Sequence, residues 1–329
     1  MDIHNIVDIV PQPVSLNDIQ DFPGPCCMSF GFDLRPLIQS IERVGLINPP
    51  LLKKDKAGNI TIIVGYRRIR ALRALKADSA VCRVLSERDL SPFECLLLNL
   101  HDNLSSRGLN DVEKGMALAR LATWVPTSKI VEYYMPLLGL PTRLDTFLLY
   151  VKVEKELETA AKDTLARGKL SLIAAKRLLE VDQESRSGIF RLMDNIKFNI
   201  NQQIQLIDYI IDLSYRDRVS IPDILKGGPL ADIYTDTNRN SPQKARAILD
   251  HLRTRRSPSV VRAEKRFQKM VSDLDLPNGV RISAPAFFEG PDYRLDVVFK
   301  EGRELRQRLK GLCRKEGLNR LGDPWEKDD

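Results

Sequence analysis

The feature that most constrains this chain of 329 residues is a strand that turns through one glycine into an arginine-rich helix. The apolar run 60–64 is followed by Gly65 and then by residues 66–75, which include four arginines. The first turn of a helix already carries unpaired N–H groups and a partial positive charge, so arginines gain nothing from the helix dipole there. A bound phosphate would explain Arg67 and Arg68, because backbone N–H groups and guanidinium groups can converge on the same oxygens. The alternative is a solvated helix face whose arginine stems cover apolar surface.

Length and composition indicate a soluble protein of several domains. The chain exceeds the usual size of one domain. It has no stretch near the roughly 18 apolar residues that cross a bilayer, and its first ten residues lack the basic start of a secretory signal. We therefore expect a cytoplasmic protein without membrane contact. The five cysteines form no C-x-x-C pair, so we expect reduced thiols rather than disulfides or a zinc site.

The charge balance favours an acidic partner. Lys and Arg number 51 against 44 Asp and Glu, which gives a formal net charge of +7. An excess of this kind is typical of proteins that bind nucleic acid, although a modest one also occurs in proteins that do not.

The first 90 residues have the pattern of a small α/β domain. Residues 1–31 predict an irregular lead-in with one strand around 6–10. Apolar residues at three- and four-residue steps predict a helix over 32–44 that Gly45 stops. Strands are predicted over 50–54, 60–64 and 80–85, the first two joined by a turn near residues 58–59.

The remainder predicts helices and then a small mixed module. Residues 91–220 read as a helical domain, with segments at 91–103, 111–123, 127–135, 142–152, 154–167, 171–180, 185–197 and 200–214. Residues 221–270 are predicted to form a partly ordered linker, over 222–242, followed by a basic helix. Residues 271–329 are predicted to form a ββα module. Its strands are expected at 279–283 and 294–299 around a turn at 289–292, and its helix at 303–312. The expected fold class is therefore α+β.

Three motifs follow one another along the chain, at residues 45–49, 65–71 and 102–110. In this order they resemble the ParB-type partition proteins and the wider ParB/sulfiredoxin-like superfamily. Residues 45–49 (glycine-leucine-isoleucine-asparagine-proline) resemble the family's glycine-x-glutamine-proline element. Residues 65–71 resemble its glycine-glutamate-arginine-arginine box, and residues 102–110 its glutamate-asparagine-x-x-arginine box. Residues 165–171 look like the segment after the family's helix-turn-helix.

The resemblance implies a clamp that binds CTP with Mg²⁺, and in some members hydrolyses CTP, while a helical domain grips DNA. It also implies a homodimer joined through the C-terminal module, and a nucleoid-associated location. The carried-over nucleotide-binding positions are Asn48, Pro49, Gly65, Arg67, Arg68 and Arg107. Asp102 and Asn103 match the positions that act in catalysis and hold the metal, and their oxygens suit magnesium.

Several departures from the family boxes bear on hydrolysis more than on binding. Tyr66 replaces an acidic residue, Asp102 is one methylene shorter than glutamate, and Ser106 stands where the box arginine falls, with Arg107 displaced by one. The lead-in at 25–29 lacks the arginine that family members place near the phosphates. Since Tyr66 also occupies the position where sulfiredoxins need a cysteine, sulfiredoxin chemistry is not expected.

Two segments are candidates for DNA contact. A degenerate helix-turn-helix is predicted over 127–151, where Lys129, Thr142 and Arg143 would face DNA; helix packing is its alternative reading. The stretch 241–270 carries nine Lys or Arg against two acids, and its arginines would engage phosphates without sequence preference. Arg253, Arg255 and Arg256 are the candidates there, against the alternative of a solvated linker helix.

Two further functions stay open on the sequence. A ParB-like nuclease would need several carboxylates around a metal, and the sequence offers Asp102 with the less certain Asp78, Glu87, Asp89, Glu94 and His101. A regulatory module could keep the fold without nucleotide turnover and use the pocket as an anion sensor. Residues 1–8 lack the basic segment through which partition proteins usually recruit an ATPase, so that partner is not expected.

Overall fold

The computed structural model describes residues 9–285, 288, 290, 292–321 and 325. The chain forms two compact units, the first made of residues 1–195 and 199–207 and the second of 196–198 and 208–329. The finer division at residues 90, 220 and 270 stays a prediction. Among the described residues no helix combines the length and the apolarity that crossing a bilayer requires.

Helices and strands are mixed, which confirms the expected combination of α and β structure. The strands are β1 (Gln12–Ser15), β2 (Leu51–Lys54), β3 (Ile60–Val64), β4 (Ser79–Ser86), β5 (Val280–Ser283) and β6 (Arg294–Val297). The helices up to residue 195 are α1 (Arg35–Val44), α2 (Tyr66–Ala74), α3 (Pro92–Ser106), α4 (Asp111–Leu121), α5 (Thr127–Lys129), α6 (Met135–Leu137), α7 (Leu144–Glu156), α8 (Thr159–Ala166), α9 (Leu172–Leu178) and α10 (Gln183–Asn195). The later helices are α11 (Ile200–Asp217), α12 (Ile221–Lys226), α13 (Gly228–Thr235), α14 (Ser241–Arg256), α15 (Pro258–Asp273) and α16 (Gly302–Cys313).

The sheet of the first unit has the order β1-β4-β2-β3. Strands β2 and β4 are parallel, and the other neighbours are antiparallel. Successive side chains of a strand face opposite sides of a sheet. Accordingly Ile62 packs in one core with Ile69 of α2, whereas Ile63 packs in another with Cys95 of α3. Helices α2 and α3 therefore cover opposite faces of the sheet.

The predicted elements of the first 90 residues are confirmed except for the first strand. Gly45 ends α1 with a φ of 76°, and the strands β2, β3 and β4 lie within two residues of their expected bounds. The strand expected around 6–10 falls partly outside the described residues, and β1 begins only at Gln12. Pro13 is tolerated because β1 pairs on one side only, with β4.

The region expected to be a helix-turn-helix departs from the pattern. Residues 127–137 consist of α5, a π-helical stretch over Ile130–Tyr134, and α6. Helix α7 begins at Leu144 rather than at 142, because Arg143 has an extended backbone. The helix expected from residue 154 begins at Thr159, since Leu157 and Glu158 are also extended.

The prediction of a partly ordered linker over 222–242 is wrong. Helices α12 and α13 occupy most of it, each with a proline in its first turn, where the missing N–H costs nothing. Ser220 caps α12 by accepting a hydrogen bond from the Asp223 N–H. Buried Ile224 and Leu230 supply the apolar contacts that the glycine and proline content concealed.

The basic segment is two helices, and the C-terminal module follows the prediction. Ser257, which precedes Pro258, separates α14 from α15. Strands β5 and β6 pair antiparallel and α16 follows, as expected. Residues 289 and 291 of the predicted turn lie outside the described residues.

Candidate functional site

Gly65 fixes the junction between β3 and α2. It is the N-cap of α2 and has a φ of 98°, in the left-handed region that favours glycine. A Cβ atom here would lie 3.0 Å from Pro50 Cβ and 3.1 Å from Arg68 Nε. The chain's own packing around Arg68 therefore requires a glycine at this position.

Arg68 gathers several of the predicted nucleotide-binding residues. Its Nη1 donates to the backbone oxygens of Asn48, at 2.6 Å, and Pro49, at 3.4 Å. Its Nη2 lies 3.7 Å from Asp102 Oδ2. Burial lowers the pKa of the Arg68 guanidinium, with Asp102 acting against that shift. The structure thus brings Asn48, Pro49, Gly65, Arg68 and Asp102 to one place.

Arg67 and Arg107 meet at a carboxylate that sequence reasoning did not single out. Arg67 Nη2 donates to Glu113 Oε1 and Arg107 Nη1 donates to Glu113 Oε2, each over 2.6 Å. The guanidinium of Arg67 also lies over the Phe32 ring, 4.6 Å from its centre. Burial and the neighbouring Arg107 charge lower the pKa of Arg67, so these two cations are close and partly desolvated.

Glu113 also accepts two backbone hydrogen bonds. The Phe30 N–H reaches Oε1 at 3.0 Å and the Asn110 N–H reaches Oε2 at 3.1 Å. Asn110 caps α4 in return, by accepting from the Glu113 N–H. We name Glu113, Arg67, Arg107, Phe30 and Asn110 the Glu113 cluster. It joins the lead-in, α2, the end of α3 and the start of α4.

Asp102 and Asn103 form only part of a metal site. Asn103 Nδ2 donates to the backbone oxygen and to Oδ1 of Asn99, and Asn99 in turn donates to Ile63. Asn103 Oδ1 and the Asp102 carboxylate are then the oxygens that could bind a metal ion. No group of three His, Cys, Asp or Glu suited to a metal occurs among the described residues. Because Mg²⁺ is commonly bound by one or two carboxylates together with substrate phosphates, the pair fits a magnesium ion that phosphates largely hold.

The charges of the site do not balance. Arg67, Arg68 and Arg107 face the two carboxylates of Glu113 and Asp102. One positive charge is left over next to the N-terminus of α2, whose N–H groups also favour an anion. The arrangement can therefore attract a phosphate-bearing ligand.

The chain is similar to a known protein over part of its length. No family model matches the chain. The chain is 28% identical over 181 residues to the probable chromosome-partitioning protein ParB of Chlamydia muridarum (strain MoPn / Nigg), which covers 52% of the chain and 61% of the relative. Over this span the chain is similar to a ParB-type protein. The resemblance seen in its motifs is confirmed, and it spans about three fifths of that relative's length.

Solved ParB structures are similar to this chain at low identity. The truncated Caulobacter crescentus ParB complexed with CTP-gamma-S is 19% identical, with 52% of this chain and 92% of that chain covered and a TM-score of 0.26. The same protein complexed to the centromeric parS site is 14% identical, with 58% and 96% covered and a TM-score of 0.33. A Pnob8-like ParB-N domain is 17% identical, with 74% and 94% covered and a TM-score of 0.35.

The candidate DNA-reading residues of the predicted helix-turn-helix are exposed and few. Lys129, Thr142 and Arg143 all lie on the surface, and Arg143 Nη2 is 3.9 Å from Asp145 Oδ2. The first turns of α7 expose Leu144 and Leu148 about half. Contact with DNA through these residues stays a prediction.

The arginines of α14 are held by carboxylates of the second unit. Arg253 pairs with Glu264. Arg255 Nη2 lies 2.9 Å from Asp217 Oδ2, and Arg256 Nε lies 2.6 Å from Asp212 Oδ2. We name these three arginines with Glu264, Asp217 and Asp212 the α14 cluster. Its members face protein acceptors, and their predicted contact with DNA is untested.

Glu113 could have been found from one sequence signal. Asparagine followed three residues later by glutamate is a capping-box pattern, and Asn110 and Glu113 have that spacing. The same pattern at Ser91 and Glu94 gives a glutamate that is only partly buried. The pattern therefore indicates the cap but not the burial that makes Glu113 a partner for two arginines.

Proposed function

We propose that this chain is a nucleotide-responsive DNA-binding protein of the ParB type that binds CTP and acts as a clamp or regulator on DNA. The observation that carries the proposal is the convergence of Arg67, Arg68 and Arg107 beside the α2 N-terminus, with one positive charge uncompensated. A nucleotide's phosphates are the anions that such a junction of N–H groups and guanidinium groups suits. The family resemblance supplies the choice of cytidine.

Each residue has a defined part in the proposal. Arg67, Arg68 and Arg107 would neutralise phosphates, and the exposed Asn48 amide would read the base edge while Pro49 and Gly65 hold the backbone. Mg²⁺, when bound, supplies charge neutralisation at the phosphates, and Asp102 and Asn103 are the residues that would hold it. Weak CTP hydrolysis by these two residues is part of the same proposal, and phosphate release measured with and without Asp102→Ala tests it.

Isothermal titration with CTP, GTP, ATP and UTP in the presence of magnesium tests the proposed binding. We expect CTP to bind most tightly and Arg68→Ala to lose that binding. Arg70→Ala is a matched control, because Arg70 lies on the same helix but is exposed and contacts Tyr66. Equal weak binding of all four nucleotides would mean a non-specific anion site, and no heat from any of them would contradict nucleotide binding.

A regulatory module without turnover is the second candidate. It is favoured by Glu113, which already occupies two of the three arginines with a protein carboxylate. This candidate predicts binding of simple phosphates with no release of phosphate from CTP. The nuclease alternative has less support, since the described residues hold no group of three metal-binding His, Cys, Asp or Glu; plasmid digestion with magnesium or manganese tests it.

DNA is the proposed partner, with a homodimer formed through the C-terminal module near the nucleoid. Helix α16 supports the dimer, because Leu305, Leu309 and Cys313 line a shallow cavity flanked by Arg306 and Lys310. Residues three and four apart share one face of a helix, so the apolar members form a stripe that a second α16 could cover. Light scattering on the wild type and on Leu309→Glu tests this, and an unchanged mass for the variant would contradict it.

A further inference from the structure

Glu113 is a buried carboxylate that accepts hydrogen bonds from four donors in separate segments of the chain. Its side chain is 1% exposed, and it accepts from Arg67, Arg107, Phe30 and Asn110. Two of these donors, Arg67 and Arg107, are cations of the candidate phosphate site. The hydrogen bonds of this carboxylate therefore depend on where the two arginines point.

A phosphate ligand and Glu113 compete for the same guanidinium groups. Removing one partner of a buried ion pair leaves an uncompensated charge, which is strongly unfavourable. If phosphate oxygens draw Arg67 or Arg107 away, Glu113 cannot stay in its present surroundings without that cost. The carboxylate must then move toward water, and its hydrogen bonds with the Phe30 and Asn110 N–H groups are lost.

We propose that Glu113 is an internal competitor for phosphate, which couples anion binding at the α2 N-terminus to the lead-in and to the start of α4. Without ligand, Glu113 holds Arg67 and Arg107 and keeps both segments docked. With a polyphosphate bound, the arginines turn to the ligand and the Phe30 and Asn110 N–H groups lose their acceptor. The inference rests on the proposed function only in that the ligand carries phosphates.

Titration with inorganic tripolyphosphate tests the competition apart from any base recognition. Glu113→Gln keeps an acceptor for the Asn110 cap, because glutamine also serves at this capping position, but removes the negative charge. We expect Glu113→Gln to bind tripolyphosphate at least about tenfold more tightly than the wild type. Glu94→Gln is the matched control, since Glu94 closes the same kind of cap at Ser91 and should leave the affinity unchanged. Equal or weaker binding by Glu113→Gln would overturn the proposal.

Hydrogen exchange on the wild type tests the coupling without a variant. The Phe30 and Asn110 amides should exchange faster when tripolyphosphate is added, whereas the Ser91 amide, which donates to Glu94, should not change. This measurement decides the matter if Glu113→Gln fails to fold. Unchanged or slower exchange at both amides at saturating tripolyphosphate would overturn the coupling.

The two proposals fail in different ways. If CTP does not bind while Glu113→Gln still gains affinity for tripolyphosphate, the nucleotide function is wrong and the competition holds. If CTP binds the wild type while Glu113→Gln shows no gain for tripolyphosphate, the nucleotide function holds and Glu113 is only a structural cap.

Discussion

The Glu113 cluster and the α14 cluster place arginines in opposite electrostatic situations. In the first, Arg67 and Arg107 are 26% and 21% exposed and share one carboxylate that is 1% exposed. In the second, Arg255 and Arg256 are 35% and 42% exposed; Arg256 pairs with Asp212, and Arg255 shares Asp217 with Arg216. The first cluster is therefore built around one buried carboxylate, and the second is a more exposed network of several carboxylates.

This difference shows why the number of basic residues is a poor guide to an anion site. Segment 241–270 carries nine Lys or Arg against two acids. Exposed ion pairs are weak and screened by salt, and a paired arginine has less charge to offer a phosphate. The segment 66–75 has fewer cations, but burial and incomplete pairing leave them responsive to an anion.

The largest effect is expected from removing the carboxylates of the two clusters. Glu113→Ala leaves Arg67 and Arg107 buried without a counter-charge and removes the Asn110 cap, so we expect a loss of about 3–5 kcal/mol in the free energy of unfolding. Asp217→Ala in the α14 cluster should cost clearly less, because its arginines can turn to water. Urea unfolding of both variants measures the difference. Equal losses would mean that the clusters do not differ as their burial indicates.

A smaller effect is expected from crowding Arg68. Gly65→Ala forces a left-handed φ on a residue with a Cβ and brings that atom to 3.1 Å from Arg68 Nε, so we expect a loss of about 1–3 kcal/mol in stability. The displaced guanidinium should also weaken nucleotide binding. Gly108→Ala is the control, since a Cβ there meets nothing within 4 Å. Thermal unfolding and titration of both variants measure the two effects, and a fully stable Gly65→Ala would contradict the strain.

The sequence predicted the elements around the site better than the partners of its side chains. The strand, glycine and helix at 60–75 follow from local rules, because alternation, a left-handed glycine and apolar spacing act over a few residues. The pairing of Arg67 with Glu113 joins residues 46 apart, and no local pattern specifies it. Helices α12 and α13 were missed for a related reason, since burial of Leu230 outweighs the local preference of glycine and proline for turns.

The salt dependence of DNA binding should separate the α14 arginines from the cations of α15. Each phosphate contact that is lost lowers the salt slope by about 0.9. Arg262, Lys265 and Lys269 are exposed on α15 at helical spacing, so their Gln variants should each lower the slope. Arg255→Gln and Arg256→Gln should leave the slope unchanged while the ion pairs with Asp217 and Asp212 are lost.

The opposite result would mean that the arginines of α14 bind DNA phosphates, as the sequence alone predicts. If Arg253, Arg255 or Arg256 sets the salt slope and the α15 residues do not, the α14 cluster exchanges its carboxylates for phosphates. Its pairing would then resemble that of Glu113, and the contrast between the two clusters would no longer hold.

The smallest effect concerns a buried thiol in the same unit as the Glu113 cluster. Burial raises the pKa of Cys26 to about 12 from an ordinary 9.0, although Arg120 and Lys53 act against the shift. The folded state therefore holds this proton more tightly than the unfolded state, so the stabilisation is complete below about pH 9 and is lost progressively up to about pH 12. We expect the wild type to lose about 1 kcal/mol more stability than Cys26→Ala between pH 8 and pH 10, as measured by urea unfolding. Cys313→Ala, which changes an exposed thiol in the second unit, is the control. If the wild type and Cys26→Ala show the same pH dependence, water reaches Cys26 in the folded state, and the desolvation inferred for this part of the first unit is overstated.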